Sequence, residues 1–597
     1  MDRFRRYRPK VSTQGALLRV AVLIALVEFL IILRLQITNI EKATVAAEVR
    51  RAHPNFPYGA HMPHPYPVDT STFTARQRAV VKAIRHAWDS YKRCAWGHDV
   101  LITDNCTFSD WGEPDPNVLT FERDTPPPKR GSTGVALTLV ESLDTLWLAG
   151  EKDEFYYAIE WIKRHLHFDV DVAVSLFETT IRLLGGLLSA YELSGEPVLL
   201  DKAYDLGDRL SYAWHGDDIM PVATVNLKYR NSSHPIWLGA YQSLAEVTTI
   251  QLEFKKLSYW TGDDHFDELA AAIMPLVIQG IDKTPQGLPS AYVHRFMGTF
   301  EGRRSAITLG SRGDSFYEYM VKQWILTNRT DKRFEVAYSK LRDGIGDHLV
   351  VEIDDERSLI VEAEFYGGRK ERKVDHLVCF APGMLLLGRE TMNRKFWRRD
   401  THLARGVGES CFDTYRMTPT GLGPEVVKYG EPPGYFPFYG SIGYYLRPEA
   451  LEAMFYLKRF TKEPKWEEHA WEMFSAMERH LKVENGYSGI RNITRNATAN
   501  ETMVYTNKME SFFLAETLKY ALLVFEDPDS STKLMDLDEW VFNTEAHPLR
   551  IIDPRKDPLI VGAYDLKHRR TAIDDAEAAA KAEERPRYLL REDLEWR

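Results

Sequence analysis

The chain has 597 residues, 44% hydrophobic and 12% aromatic, with 76 Lys and Arg against 86 Asp and Glu for a formal net charge of -10. That length allows several domains or one large closed fold, and the composition is that of an ordinary globular protein. The acidic balance, with no basic stripe in the main body, excludes a general nucleic-acid surface.

The N-terminus reads first as a membrane signal. Residues 1–15 form a basic tail (Arg3, Arg5, Arg6, Arg8, Lys10), and residues 16–36 are almost continuously apolar. About 20 apolar residues cross a bilayer as a helix. Arg19 and Arg34 can snorkel from its ends, while Glu28 costs ~3 kcal/mol on an insertion scale. The pattern predicts an uncleaved signal anchor with the tail in the cytosol and the rest in a lumen. A signal peptide cleaved near Ala43–Ala47 is the competing reading. Asn-x-Ser/Thr sequons at Asn105, Asn231, Asn328, Asn492, Asn496 and Asn500 suit a lumen. So do the four cysteines, whose pairing by proximity is Cys94 with Cys106 and Cys379 with Cys411.

Residues 37–75 are predicted as a luminal stem, with His53–Val68 an extended linker rich in Pro, His and Tyr. Residues 76–552 read as one all-α catalytic domain of stacked helical hairpins. Helical stretches include Gln77–Tyr91, Ala136–Leu148, Leu176–Ser194, Ser243–Trp260, Asp314–Leu326, Lys332–His348, Pro448–Thr461 and Met509–Phe525. Strand signals are few, at Leu359–Phe365 and Trp540–Asn543. Residues 553–597 form a charged tail, helical or disordered.

Four acids occupy positions where a soluble helix normally carries an apolar side chain: Glu178, Asp314, Glu449 and Glu510. Carboxylates are seldom buried unless paired or bound, so the four together predict one acidic site built from distant helices. In 176–194, Glu178, Arg182, Gly185 and Ser189 form a stripe apart from the apolar face. The Gly185-Gly186 pair costs ~1 kcal/mol per glycine in a helix, which predicts a close approach there by a helix or a ligand. Asp314 precedes Ser315-Phe-Tyr-Glu318, a capping-box pattern, so a helix-terminus role is open to it. The same holds for Glu449 after Pro448. Glu510 is expected to face inward with Phe513, Leu514, Thr517 and Ala521.

The residues themselves carry a resemblance. Ser142-Leu-Asp-Thr-Leu, Phe177-Glu-Thr-Thr-Ile-Arg-Leu-Leu-Gly-Gly, Gly313-Asp-Ser-Phe-Tyr-Glu-Tyr, His376-Leu-Val-Cys-Phe-Ala-Pro-Gly, Gly421-Leu-Gly-Pro-Glu, Leu446-Arg-Pro-Glu, Lys508-Met-Glu-Ser-Phe-Phe-Leu-Ala-Glu and Phe542-Asn-Thr-Glu-Ala-His-Pro-Leu occur in order. From about Thr74 to Leu549 the chain resembles the class I α-1,2-mannosidases, glycoside hydrolase family 47. The resemblance implies an (αα)7 barrel plugged by a C-terminal β-hairpin. It also implies an inverting, calcium-dependent hydrolysis of terminal α-1,2-linked mannose from high-mannose N-glycans.

Matched motif by motif, Glu178 falls on the family's general acid, Glu449 on the general base and Asp314 on the third essential carboxylate. Thr544 falls on the direct Ca2+ ligand, with Glu510 and Glu545 holding its waters. Arg182, His376, Glu425, Arg447 and Glu452 fall on the polar wall around the sugar, and Cys379 and Cys411 on the family's disulfide. Arg312 matches the arginine of endoplasmic-reticulum members, where Golgi members carry a smaller apolar residue. It implies a clamp on glycan hydroxyls and an endoplasmic-reticulum membrane location, with the Golgi as alternative. The expected catalytic domain is monomeric. The alternative from another class is a lectin-like quality-control factor that binds mannose glycans on misfolded glycoproteins with little hydrolysis.

Overall fold

Helices of two kinds alternate along the chain, and their burial tells them apart. Gly185–Ser194 is buried at every position, and Asp314–Leu326 at all but Asp314. Ala75–Cys94 and Lys465–His480 instead bury one stripe, such as Val80, Ala83, Ile84, Ala87, Trp88 and Tyr91, and turn charged residues to solvent. A helix apolar all round needs neighbours on every side, whereas an amphipathic one closes an outer layer. The computed structural model describes residues 63–111 and 134–552, apart from interruptions at 215–218, 235–237, 285, 301–305, 367, 393–396, 431–437, 495–502, 528–529 and 531–532. The expected tail 1–15, anchor 16–36, most of the stem and the tail 553–597 lie outside the described residues, as do Asn496 and Asn500. Among the described residues no helix is long and apolar enough to cross a membrane.

The inner helices contact one another in chain order: Leu143–Leu148, Gly185–Ser194, Gln251–Thr261, Asp314–Leu326, Ala381–Thr391, Glu449–Thr461 and Leu518–Val524, the last also touching the first. Each packs against an outer partner. These are Lys152–His165, Pro197–Leu210, His265–Ala271, Lys332–His348, Trp397–Arg416, Lys465–His480 and, for the last, Ala75–Cys94. The hairpin of Trp540–Phe542 and Pro548–Arg550 contacts the inner helices Asp314–Leu326 and Gly185–Ser194.

Several expectations are corrected. The domain is helix-rich but not purely α: the described residues include two- and three-stranded antiparallel ribbons whose strands run two to four residues. Such strands are too short to show an alternating pattern. The helix expected over 243–260 breaks at Thr249 and Ile250. Part of the expected linker is docked. Tyr66 donates its N–H to Leu193 O at 2.7 Å, accepts from Trp147 Nε1 at 3.0 Å and packs edge-on against Trp540 at 5.4 Å. Both expected disulfides are formed, Cys94–Cys106 and Cys379–Cys411.

The hairpin is fixed by a buried ion cluster. Asp144, fully buried, lies 2.8 Å from Lys519 Nζ and 2.7 Å from His547 Nδ1, and accepts from Ser189 Oγ at 2.9 Å. Lys519 also donates to Ala546 O at 2.7 Å. Burial pushes the Asp144 carboxyl up, but the charges of Lys519 and His547 outweigh it and hold the group below its ordinary 3.8. Asp144→Asn leaves Lys519 buried without its counter-charge and should cost about 3–5 kcal/mol, read from the urea midpoint. A depressed native carboxyl gives stability that is complete above its ordinary value and lost as pH falls through its native one. The gap between wild type and variant should therefore close only below about pH 4.

Candidate functional site

A cavity of about 350 Å³ opens where the inner helices begin, lined among others by Glu178, Arg182, Glu246, Arg312, Asp314, Glu318, Arg447, Glu449, Glu452, Phe512, Glu516, Thr544 and Glu545. Its acids come from separate elements, each delivered by a local irregularity. Ser175 Oγ accepts from Glu178 N at 3.3 Å and starts the helical turn Leu176–Glu178. The chain then continues as a π-helical segment, Thr179–Leu184, which carries Arg182. A second π segment, Phe513–Thr517, carries Glu516. Such wide turns are rare and concentrate at functional sites.

Arg312, Leu446 and Ala546 adopt left-handed φ values of 77°, 66° and 56°, which costs a non-glycine residue about 1–2 kcal/mol. They immediately precede Gly313-Asp314 and Arg447, and follow Glu545. Strain of this kind persists where the surroundings over-determine it. The Gly185-Gly186 pair is explained by the hairpin. A Cβ on Gly185 would lie 2.6 Å from Asn543 Nδ2, and one on Gly186 would lie 3.3 Å from the His547 ring.

Arg182 is the central cation. Its Nε bonds Glu178 Oε2 at 2.7 Å, and its terminal nitrogens lie 3.0 Å from Glu545 and 3.4 Å from Glu141. Glu141, absent from the sequence reading, is fully buried, and burial raises its carboxyl to about 7 against the pull of Arg182. The Phe512 ring sits between Arg182 at 5.5 Å and Arg447 at 5.6 Å. Arg447 is oriented by Glu425, whose Oε2 accepts from its Nε at 3.0 Å.

Asp314 opens its helix rather than preceding it, and the capping box read from Ser315 and Glu318 is not made. Ser315 N donates to Asp314 Oδ1 at 2.8 Å, and Glu318 pairs with Lys322. Burial, reinforced by Glu318 and Glu449, lifts the Asp314 carboxyl to about 7. Glu449 goes the other way. Burial would raise it, but the hydrogen bond from His376 and the charges of His376 and Arg447 hold it below its ordinary value. His376 reaches Glu449 Oε2 from Nδ1 at 2.9 Å and Tyr415 Oη from Nε2 at 2.7 Å. His376 and Glu425 thus stand behind the wall, steering Glu449 and Arg447, rather than lining the cavity.

The turn bearing Thr544 and Glu545 is held by Asn543, whose Oδ1 accepts from the N–H groups of Glu545 and His547, both at 2.9 Å. Burial and the neighbouring Glu545 raise Glu516 well above the carboxylate range, the two carboxyls sharing a hydrogen bond. Among the described residues no three His, Cys, Asp or Glu side chains converge as a ready chelate. Thr544, which has a hydroxyl and a carbonyl oxygen, lines the cavity beside Glu516 and Glu545. These oxygen donors fit a hard, oxygen-seeking cation.

Glu510 is not where the sequence reading put it. It precedes the helix, is half-exposed and pairs with Lys508 at 3.3 Å. The cavity acid of that segment is Glu516, six residues on, carried by the π segment Phe513–Thr517 that a 3.6-residue pattern does not reveal.

Two carboxyls pushed in opposite directions, Glu449 down and Asp314 up, on one polar cavity suit the acid–base chemistry of a glycoside hydrolase. The chain belongs to glycosyl hydrolase family 47, whose sequence profile matches residues 83–551. It is 37% identical over 492 residues to the endoplasmic reticulum mannosyl-oligosaccharide 1,2-alpha-mannosidase of Homo sapiens, covering 80% of this chain and 64% of that protein. To a mannosyl-oligosaccharide 1,2-alpha-mannosidase of Arabidopsis thaliana it is 36% identical over 502 residues, 83% of this chain and 82% of that one. The solved α-1,2-mannosidase of Trichoderma reesei superimposes with a TM-score of 0.68 at 27% identity, over 82% of this chain and 100% of that one.

Removing His376 takes away the main force that depresses Glu449. In His376→Ala the Glu449 carboxyl should titrate higher than in the wild type, followed by 13C NMR of labelled glutamate. An unmoved Glu449 would show that His376 does not set its charge.

Proposed function

We propose that this chain removes terminal α-1,2-linked mannose from high-mannose N-glycans, with inversion at the anomeric carbon. The observation that carries the reading is that Asp314 and Glu449 line one cavity with their carboxyls pushed in opposite directions. The sequential contacts of the inner helices and their outer partners support an (αα)7 barrel, with the hairpin as its plug. Glu449, ionised by His376 and Arg447, takes a proton from the attacking water. As the bond from C1 to the leaving oxygen breaks, that oxygen receives a proton held at Asp314. Glu178, engaged by Arg182, orients the water that relays it. Arg182 and Arg447 flank Phe512, whose ring gives the mannose an apolar floor.

Ca2+ is part of the proposal: Thr544 would ligate it, and Glu545 and Glu516, rather than Glu510, would hold its waters. When bound, it supplies a fixed positive charge that orients sugar hydroxyls. Arg312, with Glu246 beside it, would clamp one branch of the glycan. A luminal endoplasmic-reticulum location and an anchor at residues 16–36 complete the reading, supported by the name of the human relative and the apolar run.

The test uses the purified chain and a nine-mannose glycan. Free mannose should appear with Ca2+ and stop with a chelator; Glu449→Gln should lose at least about a thousandfold in kcat while still binding glycan. Thr544→Ala should lose the Ca2+ dependence, and Arg312→Leu should broaden the product pattern. No mannose release from pH 5 to 8 would sink the hydrolase and leave a lectin. Because Asp314 must be protonated and Glu449 ionised, kcat/KM should fall as pH rises through about 7 and again well into the acid range. A flat alkaline limb would remove Asp314 as the proton store.

A further inference from the structure

One motif outside the cavity is left unexplained by hydrolysis. Strands Tyr241–Ser243 and Tyr292–His294 pair antiparallel, Ser243 opposite Tyr292 and Tyr241 opposite His294. Ser243 lines the cavity, and the Tyr292 ring lies 5.4 Å from the Arg312 guanidinium. Alternation along a strand puts Tyr241 on the face of Ser243, and cross-strand pairing puts Tyr292 and His294 there too. The Tyr241 and His294 rings meet edge to face at 5.2 Å, and His294 lies 6.0 Å from the Phe296 ring. The rings thus run from the cavity wall to a tip where Phe296 is 69% exposed under the Arg295 guanidinium at 4.3 Å, with Met297 58% exposed beside it.

This tip is held firmly. His294 N donates to Thr299 O at 2.8 Å, Arg295 N to Ala240 O at 2.9 Å and Gly298 N to His294 O at 2.7 Å. Gly298 has φ +61°, and a Cβ there would meet Leu276 at 2.2 Å, so the turn seats directly on the neighbouring helix. A phenyl ring fixed in water loses the stabilisation of burial, and contiguous exposed apolar surface marks an interaction site.

We propose that the ribbon face from Tyr292 to Phe296 is a second carbohydrate subsite that binds mannose units of the glycan lying outside the cavity. The inference rests on the hydrolase reading above and extends it. At about 3.3 Å per residue the ribbon reaches roughly 10–13 Å beyond Ser243, enough to pass more than one sugar ring. A pyranose presents an apolar C–H face rimmed by hydroxyls. The ribbon presents apolar rings rimmed by the Tyr hydroxyls, the His294 ring and the Arg295 guanidinium. Sugars joined to the one in the cavity arrive at high effective concentration, so a shallow platform suffices.

The experiment compares wild type with Phe296→Ala and His294→Ala on two substrates, the nine-mannose glycan and the α-1,2-linked mannose disaccharide. The expected result is a KM for the large glycan raised about five- to tenfold, with its kcat, the disaccharide kinetics and the melting temperature unchanged. Unchanged KM on the large glycan would overturn the subsite. So would a rise seen only when the glycan is attached to a denatured protein, which would assign the ribbon to polypeptide. If wild type cleaves neither substrate, the hydrolase reading fails by itself. Calorimetric Kd for the nine-mannose glycan then decides the ribbon: a weaker Kd in Phe296→Ala upholds it, an equal one overturns it.

Discussion

Everything at this site depends on one guanidinium. Carboxylates crowded into a low-dielectric cavity repel and tend to neutralise, and Arg182 is the cation that keeps Glu178, Glu141 and Glu545 within reach of each other. Its planar fork can serve several acids at fixed angles, as a lysine cannot. Burial pushes carboxyls up both beside Arg182, as at Glu141 and Glu545, and further off. Glu452 is raised by burial and by Glu318, and Asp314 by burial and the same Glu318. The His376–Arg447 pair pushes Glu449 down, while burial and acidic neighbours push up Asp314, Glu452, Glu516 and Glu141.

A second cationic layer lies beneath the first. Lys519 and Lys322 point not at the cavity but at the backbone carbonyls of the terminal turn, Ala546 O and Asn543 O. Buried charges are costly unless paired, and here each lysine has its carboxylate, Asp144 or Glu318. Asn543 is further held by Ile181 O and Glu253 Oε1, both at 2.8 Å. The polar cavity surface is thus backed by a second polar layer that holds the turn.

The helical architecture was legible because long amphipathic and all-apolar stretches carry their own period; Asp314–Leu326 and Lys332–His348 agree with the sequence to the residue. So was the assembly of Glu178, Arg182, Asp314, Glu449, Thr544 and Glu545, since their motifs are ordered and specific. What escaped were features without a period. Three-residue strands offer no alternation to count. The π turn at Phe513–Thr517 shifts the inward face, so Glu510 was chosen where Glu516 faces in. Glu141 escaped because a lone acid in an apolar run gives no sign of its partner 41 residues on. His376 and Glu425 were placed on the right wall at the wrong depth, since sequence tells residue type but not distance from a surface.

The glycine pair at 185 and 186 has a consequence for how the chain is made. Its cradle is filled by Asn543 and His547, and Arg182 meets Glu545 across 363 positions of sequence. Ribosomal synthesis delivers the N-terminal helices first, at about 5–20 residues per second. Asp144 therefore waits tens of seconds for Lys519 and His547, and Arg182, already beside Glu178 and Glu141, waits as long for Glu545. During that interval Asp144 lacks its cations, the glycine groove stands open, and the turn that carries Thr544 has yet to be made. The cavity wall is thus completed late, when the last strand pair docks.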